Sequence, residues 1–198
     1  MIGSLTRSSE PLPGIPGMNE CDSNADTCCL GCNFIILEYT NRQVDVYAYD
    51  KSIKPIQNVP VVSGATVWTH PNTGQKYILI INEALYYGTK LDHSLINPNQ
   101  IRSFGIDFWD NPFDPDHGLG IGPIDTNGLT IPLTTQGTKI QFETTAPSPA
   151  DLNLYPRICL TSKQDWNPNS VDLKTTVNKI HSSSEISLED GIKEKLTY

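Results

Sequence analysis

Apolar residues in this chain fall into short runs and alternating stretches, the pattern that predicts β-strands rather than long helices. Residues 33–40 are apolar and β-branched, and residues 43–50 alternate between apolar and polar positions. The intervening Thr40-Asn41-Arg42 suits a tight turn, so the two stretches are predicted to form a hairpin.

A second hairpin is predicted further along, from residues 58–68 and 75–87. Pro71 and Gly74 lie between these stretches and favour a reversal, because Pro presets φ and Gly tolerates positive φ. Beyond them, residues 98–104 suit a short helical turn with a Pro early in it, where the missing N–H costs little.

A third β region is predicted after the dipeptide Asn127-Gly128, which is a strong hairpin signal. It comprises three predicted strands, at residues 129–133, 138–144 and 155–160. Taken together, these patterns predict an all-β domain from about residue 20 to residue 161.

The two ends of the chain differ from this domain in composition. Residues 1–19 mix Ser, Pro and Gly with little apolar periodicity, which predicts a flexible linker. Residues 162–198 contain few apolar positions and are predicted to be a linker that carries a short amphipathic helix at 187–196.

Charge and the length of the apolar runs argue against two classes of partner. Lys and Arg number 14 against 22 Asp and Glu, a net charge of -8, and an acidic surface disfavours nucleic-acid binding. No run approaches the ~20 apolar residues of a membrane-spanning helix, so no membrane partner is predicted.

The N-terminal residues lack the apolar centre of a secretory signal, and the cysteines number 5, an odd count. An intracellular, cytoplasmic protein with reduced thiols is therefore expected.

The stretch richest in chemistry is residues 21–28, Cys-Asp-Ser-Asn-Ala-Asp-Thr-Cys. It resembles the Asp-Ser/Thr-Gly-Ala motif of the retropepsin-like aspartic proteases, most nearly the protease region of copia-type LTR retrotransposon polyproteins. Residues 95–105, LINPNQIRSFG, resemble the second landmark of that family, in which two apolar residues and a Gly precede a short helix ending in Gly. Residues 61–68 resemble one arm of the flap hairpin, and residues 77–87 resemble the strand that follows it. The resemblance extends over residues 21–105, about half of the chain.

The resemblance implies a retropepsin-like acid-protease fold, which is a closed, barrel-like β sheet with a flap hairpin and one short helix. Residues 20–106 are then the retropepsin-like core. Residues 107–161 are expected to form a β extension with an acidic loop, which has no counterpart in a minimal member of the family.

The resemblance also implies an aspartic endopeptidase that cleaves its own polyprotein. Such chemistry needs two facing carboxylates that share one proton, because like charges a few ångströms apart cannot both ionise. Only one such motif is clear in the chain, so two chains are expected to meet as a homodimer, with no metal or cofactor. An extended polypeptide substrate is expected to pair as an added strand under a flap that includes residues 62–67. Asp22 is the expected catalytic residue, Ser23 its support, and the expected substrate-binding residues are Ala25, Asp26, Val62, Ser63, Gly64 and Ala65.

Two positions depart from the family pattern. Asn24 stands at the Gly of the first motif, and Asn97 stands at the Gly of the second landmark. Asn is the non-Gly residue that best tolerates positive φ, so the backbone is expected to accommodate both changes. The extra side chain at position 24 nevertheless favours a rival hypothesis, a catalytically inactive module of this fold that serves dimerisation or peptide binding.

The aspartates of the chain also have plainer interpretations. Taken alone, Asp22 suits an Asx turn ahead of the first strand. Asp125 in Asp125-Thr126-Asn127 is an alternative second carboxylate, but the following Gly favours a hairpin turn there. A cluster in a Pro-rich loop suggests calcium ligands, although a solvated acidic loop is favoured because no EF-hand spacing is present. This cluster comprises Asp107, Asp110, Asp114 and Asp116, beside His117.

The cysteines and tryptophans are assigned mainly structural roles. Cys29 and Cys32 form a Cys-x-x-Cys pair near Cys21 and Cys28, but zinc usually takes two separated pairs, so a place in a small β core is favoured. A nucleophilic pair of His93 with one of these thiols is a further alternative. Three tryptophans are expected to be core or loop anchors: Trp68, Trp109 and Trp166.

Overall fold

The computed structural model describes residues 11–48, 50 and 52–171, and strands predominate in it. The prediction of a mainly β fold is confirmed. The first six strands are β1 (Pro16–Cys21), β2 (Cys29–Leu30), β3 (Ile35–Val46), β4 (Ile56–Thr69), β5 (Lys76–Tyr86) and β6 (Ser94–Ile96). The next six are β7 (Phe108–Trp109), β8 (Gly120–Ile121), β9 (Ile131–Pro132), β10 (Thr134–Gln136), β11 (Lys139–Thr145) and β12 (Arg157–Cys159). The helices are α1 (Pro98–Ser103) and α2 (Pro149–Leu154), with short 3-10 turns at Gly88–Lys90 and Pro168–Ser170.

Most of the strands join in one sheet, in the order β10-β11-β1-β6-β2-β5-β4-β3, with β12 paired to β5. An additional pairing of Thr145 in β11 with Val67 in β4 closes part of this sheet into a ring of six strands. The remaining strands β7, β8 and β9 form a small second sheet. Its buried side chains Phe108, Ile121 and Ile131 belong to the same apolar cluster as the core of the large sheet.

The hairpin predicted from residues 58–68 and 75–87 is confirmed as β4 and β5. Both strands consist largely of buried residues, because neighbours cover both of their faces. The turn between them is closed by His70, whose Nδ1 accepts hydrogen bonds from the backbone N–H groups of Asn72 and Thr73. Gly74 takes a φ of 69°, which explains the Gly at this turn.

The hairpin predicted around Thr40-Asn41-Arg42 is wrong. β3 continues from Ile35 to Val46 through these residues, and its partner along the whole length is β4. Asn41 does take a positive φ of 61°, but it produces a shift of register between strands rather than a reversal. The chain instead reverses between β3 and β4.

The predicted linker over residues 1–19 needs correction, because β1 begins at Pro16 and lies inside the sheet. It pairs antiparallel with β11 on one side and parallel with β6 on the other. Asn19 has no exposed surface, and its amide donates to the carbonyl oxygen of Phe142 at 3.1 Å and to Thr144 Oγ1 at 2.9 Å.

A buried polar network crosses the ring next to Asn19. The side-chain amide of Asn33 donates to Asn19 Oδ1 at 3.0 Å and to Thr144 Oγ1 at 2.8 Å. Its carbonyl oxygen accepts from the hydroxyl group of Ser94 at 2.6 Å. Thr66 donates to Thr144 Oγ1 at 2.7 Å, so strands from four parts of the chain are connected by satisfied polar groups.

The predicted boundary after residue 106 does not separate two units. β11 and β12 pair with strands of the large sheet, and the buried residues of β7–β9 share its core. The turn predicted at Asn127-Gly128 is confirmed, because the backbone N–H of Ile124 donates to the carbonyl oxygen of Leu129 there.

The helices are short and capped. The helical turn predicted at residues 98–104 is confirmed as α1, with Pro98 in its first turn. α2 begins with a capping box between Ser148 and Asp151. The helix predicted at residues 187–196 lies outside the described residues. In the described ranges no helix has both the length and the apolar character to cross a membrane.

Candidate active site

The residues of the first motif form a loop between β1 and β2, which we call the Asp22 loop (residues 22–28). Although β1 and β2 flank this loop in sequence, β6 lies between them in the sheet, parallel to β1 and antiparallel to β2. The backbone N–H of Asp22 donates to the carbonyl oxygen of Ile96 at 3.0 Å, where β6 ends. The two sequence landmarks therefore meet in the fold.

The carboxylate of Asp22 is half-buried at the start of this loop. Its Oδ1 accepts a hydrogen bond from the backbone N–H of Asn24 at 2.9 Å, so the Asx turn is present. This bond also sets the direction of the carboxylate. Ser23, Asn24 and Asp26 are exposed and Ala25 is half-buried. Among the described contacts, no hydrogen bond joins the Ser23 hydroxyl group to Asp22.

Asn97 connects the loop to α1. Its Oδ1 accepts from the backbone N–H groups of Asn99 and Gln100 as the helix cap, and its Nδ2 donates to the carbonyl oxygen of Ala25 at 2.6 Å. The φ of Asn97 is -80°, and Asn24 is also absent from the described residues of positive φ. The expectation that these two Asn residues replace Gly through positive φ is therefore wrong, and at position 97 the side chain itself supplies the contacts.

Gln100 holds the far end of the loop. Only 2% of this residue is exposed, and its Oε1 accepts from the backbone N–H of Cys28 at 2.9 Å. Its Nε2 donates to the carbonyl oxygens of Asn82 and Glu83 in β5. Sequence reasoning missed both Asn97 and Gln100 as loop-holding residues. The Asn-Pro start of α1 was a signal for the cap, but no local pattern indicated the contacts with the loop.

The four predicted substrate-binding residues of β4 are not accessible, which corrects the predicted flap. Val62 and Ala65 have no exposed surface, Ser63 is 6% exposed, and Gly64 is buried. A Cβ at Gly64 would collide with the side chain of Leu30, so the Gly allows close packing under β2. These residues lie in the middle of the sheet because β3 and β5 flank them on both sides.

The alternative acidic sites have local partners of their own. Asp125 Oδ1 accepts from the backbone N–H groups of Asn127 and Leu129, as the hairpin-turn interpretation requires. In the acidic loop, Asp110 forms an ion pair with Arg102 at 2.8 Å, and Asp114 approaches His117 at 3.3 Å. Over the described ranges, no group of three or more His, Cys, Asp or Glu side chains is arranged to hold a metal ion.

A cavity of about 450 Å³ lies apart from the Asp22 loop, beside the turn that follows β4. Its walls include His70 and Asp116, and also the rings of Trp109 and His117, which stack with their centroids 5.2 Å apart. None of the predicted catalytic or substrate-binding residues lines this cavity.

The thiols near Asp22 lie in surroundings that disfavour nucleophilic chemistry. Cys28 has no exposed surface, and burial raises its pKa from 9.0 to about 12. Burial likewise raises the pKa of Cys21 to about 12, and burial together with the Asp22 carboxylate raises that of Cys29 to about 11. In the described part of the chain, no hydrogen bond joins His93 to Cys28 or Cys29.

We expect Cys28 in the folded protein to react with iodoacetamide at pH 8 about a thousandfold more slowly than an exposed thiol. Its thiolate population falls by that factor when the pKa rises from 9.0 to about 12. The measurement is peptide mapping by mass spectrometry over time, with urea-unfolded protein as the control in which all the thiols react. Fast modification of Cys28 or Cys29 with matching loss of activity would instead favour a thiol mechanism.

The same pKa shifts give stability a dependence on pH. Because the folded-state pKa values of Cys21, Cys28 and Cys29 lie above the unfolded value of 9.0, the folded state binds more protons in this range. Their contribution is complete below pH 9, and the free energy of unfolding falls as the pH rises from 9 towards about 12.

Comparison of the chain with protein-family models, with curated proteins and with solved structures found no match.

Proposed function

We propose that the chain is an aspartic endopeptidase of the retropepsin-like type, which acts as a homodimer and cleaves the polyprotein to which it belongs. The contact between the two sequence landmarks is the observation that supports this proposal most directly. Asn97 Nδ2 reaches the carbonyl oxygen of Ala25 across 72 positions of sequence, and Asp22 bonds to the end of β6. An accessible carboxylate is thereby held at the start of an exposed loop.

The proposed chemistry needs a second carboxylate opposite Asp22. Within the described residues no other carboxylate is hydrogen-bonded to Asp22, which supports a partner group supplied by a second copy of the chain. One Asp22 then acts as the base that activates water, while the other stays protonated and donates its proton to the substrate. The acidic composition and odd number of cysteines support a reducing, cytoplasmic setting without nucleic acid.

We assign the substrate-covering role to the end of the β3–β4 hairpin, in place of residues 62–67. Exposed apolar side chains occur along this hairpin and at its end, as is typical of surfaces that bind another polypeptide. The exposed apolar side chains of the hairpin are Leu37, Tyr39, Val44, Tyr47, Ile53 and Ile56. An extended substrate then lies between this hairpin and the Asp22 loop, where it forms backbone hydrogen bonds as an added strand.

The inactive-module hypothesis is favoured by one observation, the side chain of Asn24. It is exposed at the position where the family has Gly, on the loop that two subunits have to share. A protein that dimerises but does not cleave would support this rival.

We expect the purified protein to cleave denatured casein at acidic pH, with inhibition by pepstatin. Because each active site needs two chains, activity per chain should fall on dilution below the dimer dissociation constant. The pH–rate profile should be bell-shaped on the acidic side, with limbs that belong to the carboxylate pair. Sedimentation at the same concentrations measures the dimer fraction, and a chelator is the control for metal chemistry. Constant activity per chain over about a hundredfold dilution, in a species that sediments as a monomer, would exclude the homodimer.

A further inference from the structure

The segment after β12 runs along β5 and ends at the Asp22 loop. β12 pairs in parallel with residues Ile78 to Ile80 of β5. Thr161 then bonds to Asn82 through three hydrogen bonds, between 2.7 and 2.9 Å long. Residues 162–167, which we call the strap, follow Thr161 and bring Trp166 to Glu83 and to the Asp22 loop.

Glu83 anchors the strap. Its carboxylate is 4% exposed and accepts the backbone N–H of Trp166 at 3.0 Å as well as the guanidinium group of Arg42. Arg42 also approaches Asp165 of the strap at 3.5 Å, and hydrogen bonding to Glu83 raises the pKa of Arg42 above its usual value. Both bonds end on Oε2 of Glu83, and the guanidinium group of Arg42 balances the charge of the buried carboxylate.

Glu83 reaches the strap because β5 carries a bulge at this position. Val62 of β4 pairs with Ala84, whereas Gly64 pairs with Ile81, so β5 holds one extra residue here. Glu83 itself takes a φ of 56°. With this positive φ its side chain no longer follows the alternation between the two faces of the sheet.

The indole ring of Trp166 joins the strap to the site. Its Nε1 donates to the carbonyl oxygen of Asp26 at 2.9 Å. Two residues further along the loop, the N–H of Cys28 is held by Gln100, which also bonds to the carbonyl oxygen of Glu83. These two hydrogen bonds on the second half of the loop therefore both lead to the same bulge of β5.

We propose that Trp166 is a positioning residue of the active site, which fixes the Asp22 loop through the carbonyl oxygen of Asp26. The effect of Trp166 on catalysis rests on the proposed function, whereas its effect on the loop does not. The strap then belongs to the site rather than to a linker. Loss of the indole N–H leaves Asp26 untied, so the loop opens more often and the two Asp22 carboxylates face each other for less of the time.

The test compares Trp166→Phe with Trp109→Phe in the full chain. Both substitutions exchange the same side chains, but Trp109 stacks on His117 at the separate cavity. Amide hydrogen exchange, measured by mass spectrometry or NMR, reports the Asn24 and Cys28 amides of the loop. As references it reports the Ile78 amide of β5 and the Ala146 amide next to β11, which we call the sheet amides. In Trp166→Phe we expect exchange at the two loop amides to rise about fivefold, the factor for one typical hydrogen bond, with the sheet amides unchanged. Trp109→Phe should leave the loop amides as in the wild type.

Casein cleavage gives the second measurement. Trp166→Phe should lower kcat about fivefold with a smaller change in KM, because the loop carries the reacting carboxylate. Unchanged loop exchange, or an equal rise at loop and sheet amides, would overturn the positioning role. If the wild-type protein does not cleave casein at all, the proposed function fails, while the exchange comparison still decides whether Trp166 holds the loop.

Discussion

Replacing Asp22 by Asn is expected to lower peptidase activity at least about a thousandfold and to leave the fold intact. The substitution removes the proposed shared-proton pair, and general acid–base catalysis of this kind supplies about a hundredfold to ten-thousandfold of the rate. The amide oxygen of Asn can still accept the hydrogen bond from the backbone N–H of Asn24, so the Asx turn survives. Casein cleavage at acidic pH measures the activity, and urea unfolding measures the stability.

Asp125→Asn is the matched control for this experiment. Asp125 also accepts a backbone N–H two residues further along through its Oδ1, but it does so in the turn before β9. It should therefore keep wild-type activity. If cleavage is unchanged in Asp22→Asn, or lost to the same degree in Asp125→Asn, the assignment of the catalytic carboxylate to the Asp22 loop is wrong.

Deletion of residues 1–19 is expected to abolish cooperative unfolding of the domain. The deletion removes most of β1, which has β11 on one side and β6 on the other. It also takes Asn19 from the buried network and leaves the polar groups of Asn33 and Thr144 with fewer partners. A domain of this size is stable by only ~5–15 kcal/mol, and the loss of an inner strand should remove most of that.

Deletion of residues 1–10 serves as the control, because it removes none of the hydrogen bonds described for β1. Urea unfolding followed by circular dichroism and by tryptophan fluorescence distinguishes the two shortened proteins. A single cooperative transition with unchanged midpoint after deletion of residues 1–19 would contradict the central place of β1.

The strand class, one hairpin and the start of α1 could be predicted because their signals are local. Pro71 and Gly74 lie within the turn that they produce, and Asn97-Pro98 begins the helix that it caps. The dipeptide Asn127-Gly128 likewise forms its own turn. Each of these interactions joins residues that are close in sequence, so the pattern of residue types was enough.

β1 and β3 could not be assigned correctly from the same signals. Residues 16–19 have little apolar character, since the inward side chain Asn19 is satisfied by polar groups of other strands. Thr40-Asn41-Arg42 has the composition of a turn, but continued pairing with β4 makes it a bulge within β3. In both cases a distant strand decides how a local sequence is used.

The candidate site could likewise be predicted only in part from the sequence. The motif pointed to Asp22 and to the stretch that includes Asn97, and the structure brings these two regions into contact. The motif did not reveal that residues 62–65 are buried. A run of apolar strand residues has the same sequence pattern in the arm of a flap as in the centre of a sheet.

The sequence by itself determined that this protein is mainly β, where two of its tight turns and its first helix lie, and which carboxylate begins the candidate loop. Only the tertiary structure decided that β1 is an inner strand, that the hairpin of β3 and β4 reverses beyond Val46, and that Trp166 belongs beside Asp26. The physical reason is the range of the interactions. Turn and cap bonds form between near neighbours, whereas the indole of Trp166 bonds across 140 positions and depends on the pairing of both β12 and β2 with β5.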